Sequence, residues 1–259
     1  MAFDRPLLRR AGGLLFWRLL GTGRGRAMSP GADLRRWALF AVWRGEHDLD
    51  EFLRTSPIAA RWRTEAAEHW QVRLSPLTSR GLWSGHNPFP TPEPQTRGRP
   101  VAPRTRCDEP HLLAARARGQ NPHLIAARAC GEEPGDEPRL LAARARGEEP
   151  GPVAVLTRAS IRVRRLVAFY RSVPSVEELL RRQDGCLASI GMGEWPLARQ
   201  ATFSLWRDRE AVRDFAYQGE AHRRVIDRVR AHDWYAEELF ARFTPYASEG
   251  TWDGTDPLR

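Results

Sequence analysis

The stretch ARQATFSLWRDREAVRDF at residues 198–215 decides the fold, because residues 35–52 carry a second version of it, RRWALFAVWRGEHDLDEF. The two versions stay in register without a gap. Their identical pairs are Arg36 and Arg199, Ala38 and Ala201, Phe40 and Phe203, Trp43 and Trp206, Arg44 and Arg207, and Phe52 and Phe215. A match of this kind indicates that one structural unit occurs twice in the chain.

The repeat continues to a tryptophan that lies between two glycines. Residues 76–85 read PLTSRGLWSG and residues 245–254 read PYASEGTWDG, so Trp83 corresponds to Trp252. A repeat this long predicts two structurally equivalent halves that pack together as a pseudo-dimer. We therefore expect function at the interface of the halves, or in features that one half has and the other lacks.

The second half has the clearer pattern of strands and helices. Alternating apolar residues predict strands, and amphipathic segments predict helices. The predicted strands are 153–161, 187–190, 201–206 and 238–243, and the predicted helices are 176–182, 209–217 and 220–234. With the last two helices taken together, the order β-α-β-β-α-β is that of a ferredoxin-like unit. The predicted fold class is α+β, with tandem ferredoxin-like repeats that form an α+β barrel pseudo-dimer.

Three regions follow from this pattern. Residues 12–89 are the first ferredoxin-like half, which lacks a counterpart of the strand 153–161, and residues 152–254 are the second half. Residues 90–151 are a low-complexity linker rich in Pro, Arg and Ala, with the near-copies EPHLLAARARG, NPHLIAARACG and EPRLLAARARG. Each copy offers about two helical turns, too few to be stable alone in water. We interpret them as an expanded linker with at best frayed helices, rather than as a solenoid.

The net charge of +9 does not by itself indicate a nucleic-acid partner. The chain contains no lysine, so all 41 basic residues are arginine, and they are interleaved with 32 acidic residues. A phosphate-binding surface requires positive charge that is clustered on one face or in one tail. We therefore expect no nucleic-acid partner.

Targeting and redox signals are few. The apolar run 12–20 is interrupted by Arg18 and is too short to span a bilayer. The three cysteines show no metal-binding spacing. We expect a cytoplasmic protein, and leave open a peripheral contact with the inner membrane and a homo-oligomeric state.

Several strings resemble those of one family. GEWPLARQATFSLW (193–206) and EELFARF (237–243) in the second half, and LLFWRLLGTGRG (14–25) and GLWSGHNPF (81–89) in the first, resemble the spheroidene monooxygenase family of bacterial carotenoid biosynthesis. Against that pattern the chain is shorter at its N-terminus and has an expanded linker. The resemblance implies an oxygenase that inserts oxygen at C-2 of an acyclic carotenoid to give a ketone. It also implies haem iron as the cofactor and reduced ferredoxin as the electron donor.

His222 is the residue that we expect to bind the iron. It lies on the predicted helix 220–234 and shares a face with Ile226 and Val229, so its imidazole would face apolar packing. Its repeat position in the first half is Ala59, so only one half carries it. A neutral imidazole on an apolar wall is a suitable axial ligand for haem iron. The alternative is a hydrogen-bonded histidine of the core or its boundary.

Arg36 and Arg199 occupy equivalent positions on symmetric strands. Two such arginines could clamp the haem propionates, because a guanidinium binds a carboxylate through two hydrogen bonds. The alternative is that each is an exposed strand arginine in an ion pair. His69 and His232 are equivalent to each other, which indicates a shared structural role.

The rival function is a catalytically inert α+β barrel that binds a hydrophobic small molecule or acts as an assembly partner. The missing strand and the long linker favour this rival. The tryptophan-rich second half, with a histidine that the first half lacks, favours the enzyme.

Overall fold

The computed structural model describes residues 2–24, 31–89, 123–124, 151–195, 197–218 and 233–259. Its strands are β1 (Leu14–Gly23), β2 (Ala32–Trp43), β3 (Trp70–Gly81), β4 (His123–Leu124), β5 (Val153–Ile161), β6 (Cys186–Trp195), β7 (Arg199–Trp206) and β8 (Tyr235–Gly250). Its α-helices are α1 (Arg5–Leu8), α2 (Glu46–Thr55), α3 (Pro57–Glu65), α4 (Leu166–Arg181) and α5 (Arg209–Gln218). None of the helices in these residues is long and apolar enough to cross a membrane.

One antiparallel sheet contains all of these strands, in the order β3-β8-β5-β7-β6-β1-β2-β4. Within the second half, β5 lies between β8 and β7, and β6 lies beyond β7. This is the strand order of a ferredoxin-like unit, and the whole sheet curls into a half-barrel. The predicted fold class is confirmed.

The register between strands shows that the two halves meet in equivalent ways. β1 pairs with β6 through Gly21 opposite Gly193, and β3 pairs with β8. Gly81 and Gly250, which are equivalent in the repeat, both have positive φ, at 89° and 87°. A Cβ there would lie 2.2 Å from the carbonyl oxygen of Glu238, or 2.1 Å from that of His69. Glycine is therefore required at both positions.

The first half contributes β1, β2 and β3, with α2 and α3 between the last two. Among the described residues, β2 has a strand partner on its outer edge only at Val42 and Trp43, which pair with β4. β4 belongs to the linker, for which the sequence predicted at best short helices, so that expectation is wrong at these two residues. The division into two halves and a linker stays a prediction.

The inner face of the sheet carries the main apolar core. Alternation along β5 turns Ala154 and Leu156 inward, where they pack with aromatic residues from β2, β7 and β8. Val153 and Val155 point outward and pack against α4 and α5.

Helix α4 is longer than the predicted helix 176–182, because it begins at Leu166 and continues through Pro174. A proline inside a helix removes a hydrogen bond. Phe169 and Val173, which precede it, are buried against Ile161 and Trp234, and this packing holds the extra turns.

Candidate functional site

The structure places the predicted site residues in separate surroundings. His222 lies outside the described residues. Arg36 on β2 has a side chain that is 48% exposed and donates a hydrogen bond to Asp253. That hydrogen bond holds the pKa of Arg36 above its ordinary value. Arg199 on β7 is 54% exposed, and its nearest carboxylate oxygen, on Glu194, is 3.9 Å away.

Arg36 and Arg199 lie on opposite sides of the central Gly21–Gly193 pair, each within a few residues of it. The strands β7, β6, β1 and β2 are neighbours in that order, and each runs antiparallel to the next. Three strand spacings separate the two backbones, roughly 15 Å. Each guanidinium has its own acidic neighbour, Asp253 for Arg36 and Glu194 for Arg199, and their joint role as a clamp stays a prediction.

Three histidines of the first half lie on the surface. His47, His69 and His86 are all exposed. The His86 ring contacts the edge of Phe16 at 5.5 Å between centroids, and the carbonyl of His69 accepts a hydrogen bond from the Thr251 N–H. In the part of the chain that the structure describes, no group of three His, Cys, Asp or Glu residues could hold a metal ion.

A buried ion network fills one end of the inner face, and the sequence analysis did not find it. Arg158 on β5 is 3% exposed and donates a hydrogen bond to Glu237 on β8. The nearby Arg18 on β1 lies 3.4 Å from Glu194 on β6. Glu194 also accepts a hydrogen bond from the indole N–H of Trp83, which is fully buried.

Glu237 also caps the turn that follows β3. Its carboxylate accepts hydrogen bonds from the N–H groups of Ser84 at 2.9 Å and Gly85 at 2.7 Å. At the equivalent turn of the second half, Glu68 accepts hydrogen bonds from the Gly254 N–H at 2.7 Å and the Thr251 hydroxyl at 2.9 Å. The repeat thus conserves the cap, but only Glu237 also binds a buried arginine. The same register makes His69 the equivalent of Glu238, so its predicted equivalence with His232 is wrong.

Acidification should destabilise the protein through Glu237. Burial acts to raise the pKa of this carboxyl, but the hydrogen bonds from Gly85 and Ser84 and the charge of Arg158 outweigh it, so the pKa lies below its ordinary value of 4.5. A lowered folded-state pKa gives stability that is present above the unfolded-state pKa and is lost as the pH falls through the folded-state value. We expect urea titrations to show this loss below about pH 4.5, and a smaller loss in Glu237→Gln. An equal loss of stability on acidification in the wild-type protein and in Glu237→Gln would show that Glu237 is not the group responsible.

A cleft of about 1030 Å³ opens at the other end of the sheet. The edge of β6 from Leu187 to Ile190 forms one wall, and the end of β1, the start of β2, Glu177 and Arg181 of α4 and the residues after β8 form the others. Arg36 and its partner Asp253 lie on the rim, and Trp252 lies inside it.

Comparison with known proteins decides the family. The chain is 32% identical to the spheroidene monooxygenase of Rhodobacter capsulatus over 94% of its own length and 80% of that protein. It belongs to the spheroidene monooxygenase family. A second member of the family, from Cereibacter sphaeroides, is 28% identical over 94% of this chain, which spans 59% of that protein's length. A third, from Rubrivivax gelatinosus, is 30% identical over 93% of this chain and 73% of that protein. No family model matches the chain.

Solved structures resemble this family member only distantly. An anthrone oxidase-like protein is 10% identical, with a TM-score of 0.30, over 96% of this chain and 86% of that one. SnoaB, a cofactor-independent oxygenase from Streptomyces nogalater, is 17% identical, with a TM-score of 0.31, over 36% of this chain and 92% of that one.

Proposed function

We propose that the chain is a monooxygenase that inserts oxygen at C-2 of an acyclic carotenoid and forms a ketone. Its membership of the family supports this function, because three curated relatives at 28–32% identity are all named spheroidene monooxygenase. Such a substrate partitions into lipid, so we place the protein in the cytoplasm, against the inner membrane.

We propose haem as the cofactor and His222 as the residue that would bind its iron. The first-half equivalent of His222 is Ala59, which is 3% exposed and packs in one cluster with Trp43 and Phe52. The ring centroids of that pair are 5.0 Å apart, and those of the equivalent pair, Trp206 and Phe215, are 5.1 Å apart. Trp206 and Phe215 thus form the same aromatic pair as the one beside Ala59, and a neutral imidazole is a ligand that suits apolar surroundings of this kind.

Haem, when bound, would supply the activation of dioxygen, with reduced ferredoxin as the electron donor. Each hydroxylation consumes one dioxygen, two electrons and two protons and releases one water. A second hydroxylation of the same carbon gives a geminal diol, which loses water to become the ketone. The protein's role is to hold the carotenoid in place and to keep bulk water away from it.

Arg199 is a better candidate than Arg36 for a haem propionate. Its side chain is more than half exposed, and its contact with Glu194 is long, at 3.9 Å. Arg36 already donates a hydrogen bond to Asp253.

The test compares the wild-type protein with His222→Ala in two measurements, the amount of bound haem and the product formed from a carotenoid. We expect the purified wild-type protein, after reconstitution with haem, to show a Soret band, and to convert an acyclic carotenoid to its ketone with reduced ferredoxin. His222→Ala should lose both properties. His47→Ala, which changes an exposed histidine on α2, should keep both.

An unchanged Soret band in His222→Ala would overturn the ligand assignment. A wild-type protein that binds carotenoid but takes up no haem and forms no product would instead favour the inert barrel.

A further inference from the structure

The outer edges of β2 and β3 frame a groove in the sheet. In the second half, β5 lies between β7 and β8 and pairs with both. The repeat makes β2 the equivalent of β7 and β3 the equivalent of β8. Among the described residues, β3 pairs only with β8, and β2 has a partner on its outer edge only at β4. The first half therefore has a groove where the second half has β5.

Strand β4 lies in this groove, in the register of β5. It pairs with β2 and also lies beside β3. Each pair of β4 with β2 has its equivalent in a pair of β5 with β7, namely His123–Trp43 in Val153–Trp206, and Leu124–Val42 in Ala154–Leu205. Both sets of pairs are antiparallel. β4 therefore occupies the place of the first two residues of β5.

The sequence that follows β4 matches the sequence of β5. Residues 123–130 read HLIAARAC, and residues 153–160 read VAVLTRAS. Aligned without a gap, both have apolar residues at the second, third and fourth positions, and both have Arg-Ala at the sixth and seventh. The match indicates that 123–130 can form the strand that β5 forms in the second half.

The arginine of this segment has a carboxylate to meet. Arg158 on β5 donates a hydrogen bond to Glu237. The pairing of β3 with β8 is symmetric under the repeat and makes Glu68 the equivalent of Glu237. Continuing the register of β4 brings Arg128, the equivalent of Arg158, to Glu68. Because Glu68 is exposed, such an ion pair would orient the strand more than it would stabilise it.

The walls of the groove are less covered than the strands on either side of β5. Ala38 on β2 and Val72 on β3 are partly exposed and pack at the border of the main apolar core. Their equivalents beside β5, Ala201 and Ala241, are 2% and 0% exposed. A complete strand in the groove would remove this remaining apolar surface from water, which favours docking.

We propose that residues 123–130, in the middle copy of the linker repeat, dock between β2 and β3 as the strand that the first half lacks. Residues 125–130 lie outside the described part of the chain, and the register of β4 assigns each of them a partner on β2, ending with Cys130 opposite Arg36. Main-chain hydrogen bonds to the two edges would hold the segment, as when an edge strand binds an extended peptide. This docking depends neither on haem nor on a carotenoid.

The first test is a cross-link between Cys130 and a cysteine introduced on β2. Opposite residues of paired strands have Cβ atoms about 4.5–5.5 Å apart. We would oxidise Arg36→Cys in the full chain, treat a second sample with a short bismaleimide, and map the linked peptides by mass spectrometry. We expect position 36 to link to Cys130 at least about tenfold more than to Cys107, which lies in the same linker but outside the paired segment.

Arg35→Cys is the matched control for the cross-link. Arg35 is exposed like Arg36, but successive side chains of a strand point to opposite faces of the sheet. Its link to Cys130 should therefore be at least about tenfold weaker than that of Arg36→Cys.

The second test compares the three copies of the linker repeat with one another. Leu124 in the middle copy corresponds to Leu112 and Leu140 in the other two. Leu124→Asp would place a charge against the apolar core, so we expect hydrogen exchange at the outer edge of β2 to become at least about tenfold faster. Leu112→Asp and Leu140→Asp make the same change in copies that do not dock, and they should leave this exchange unchanged.

The outcomes separate the possible occupants of the groove. Equal linking of position 36 to Cys107 and Cys130, or no link in either reaction, would overturn the docking of this segment. A link to Cys130 that joins two chains would overturn docking within one chain and assign the strand to a second copy. Equal exchange in all three Asp variants would overturn the choice of the middle copy. Loss of folding in Leu124→Asp alone would support the docking, because the same substitution is then tolerated in the other copies.

Discussion

Replacing Glu237 with alanine should lower the free energy of unfolding by about 3–5 kcal/mol, because it leaves a buried charge without its partner. Arg158 is 3% exposed, and Glu237 is the carboxylate that accepts its hydrogen bond. The same substitution removes the acceptor for the N–H groups of Ser84 and Gly85. Urea unfolding followed by circular dichroism measures the change.

Glu68→Ala is the matched control for this prediction. Glu68 caps the equivalent turn, but it is exposed and binds no buried arginine. We expect its loss to cost no more than about 1 kcal/mol. A similar loss of unfolding free energy in Glu237→Ala and Glu68→Ala would contradict a special role of the Arg158–Glu237 ion pair. Adding Arg158→Met to Glu237→Ala should recover part of the lost stability, because the unpaired charge is then gone.

Trp83→Ala should cost about 3–5 kcal/mol of unfolding free energy, the usual range for a large aromatic residue removed from a core. Trp83 is 0% exposed. Its ring centroid lies 5.2 Å from that of Phe16 and 5.6 Å from that of Phe40. Its indole N–H donates to Glu194, which would lose this donor in the variant.

Trp252→Ala provides the comparison at the equivalent position. Trp252 is partly exposed, and its ring contacts Trp70 at 5.3 Å between centroids. We expect its removal to cost at least about 1 kcal/mol less than that of Trp83, because less apolar surface is buried there. An equal loss of unfolding free energy in Trp83→Ala and Trp252→Ala, measured by chemical denaturation, would show that the two tryptophans contribute equally to stability.

The sheet could be predicted because two kinds of pattern agreed. Alternation located β5 at its observed bounds, Val153–Ile161, and the repeat showed that the unit occurs twice. The length of α4 could not be predicted, because Pro174 and Ser175 look like a helix start. Only the packing of Phe169 against residues distant in sequence explains why the helix begins earlier.

The positions of Arg36 and Arg199 show the limit of sequence reasoning at the site. The repeat predicts their equivalence, and the structure adds that they lie on either side of the Gly21–Gly193 pair, three strand spacings apart. The repeat does not give the register between β1 and β6, which sets the distance between the two arginines, and their role as a clamp for haem propionates stays a prediction.

The buried pair of Arg158 and Glu237 was missed for a related reason. The two residues are 79 positions apart, and they meet only through the pairing of β5 with β8. A signal was available: Arg158 continues the inward row of Ala154 and Leu156, where an arginine needs a buried partner.

The joining of both halves in one chain has a consequence for how the two ends of the sheet can change. In an assembly of two identical chains, every substitution alters both ends at once, so a group that seals one end also seals the other. In this chain the equivalent positions are separate codons. Trp83 and Trp252 occupy one such pair of positions, and only Trp83 is fully buried, so one end of the sheet can be packed for stability without the same change at the other end.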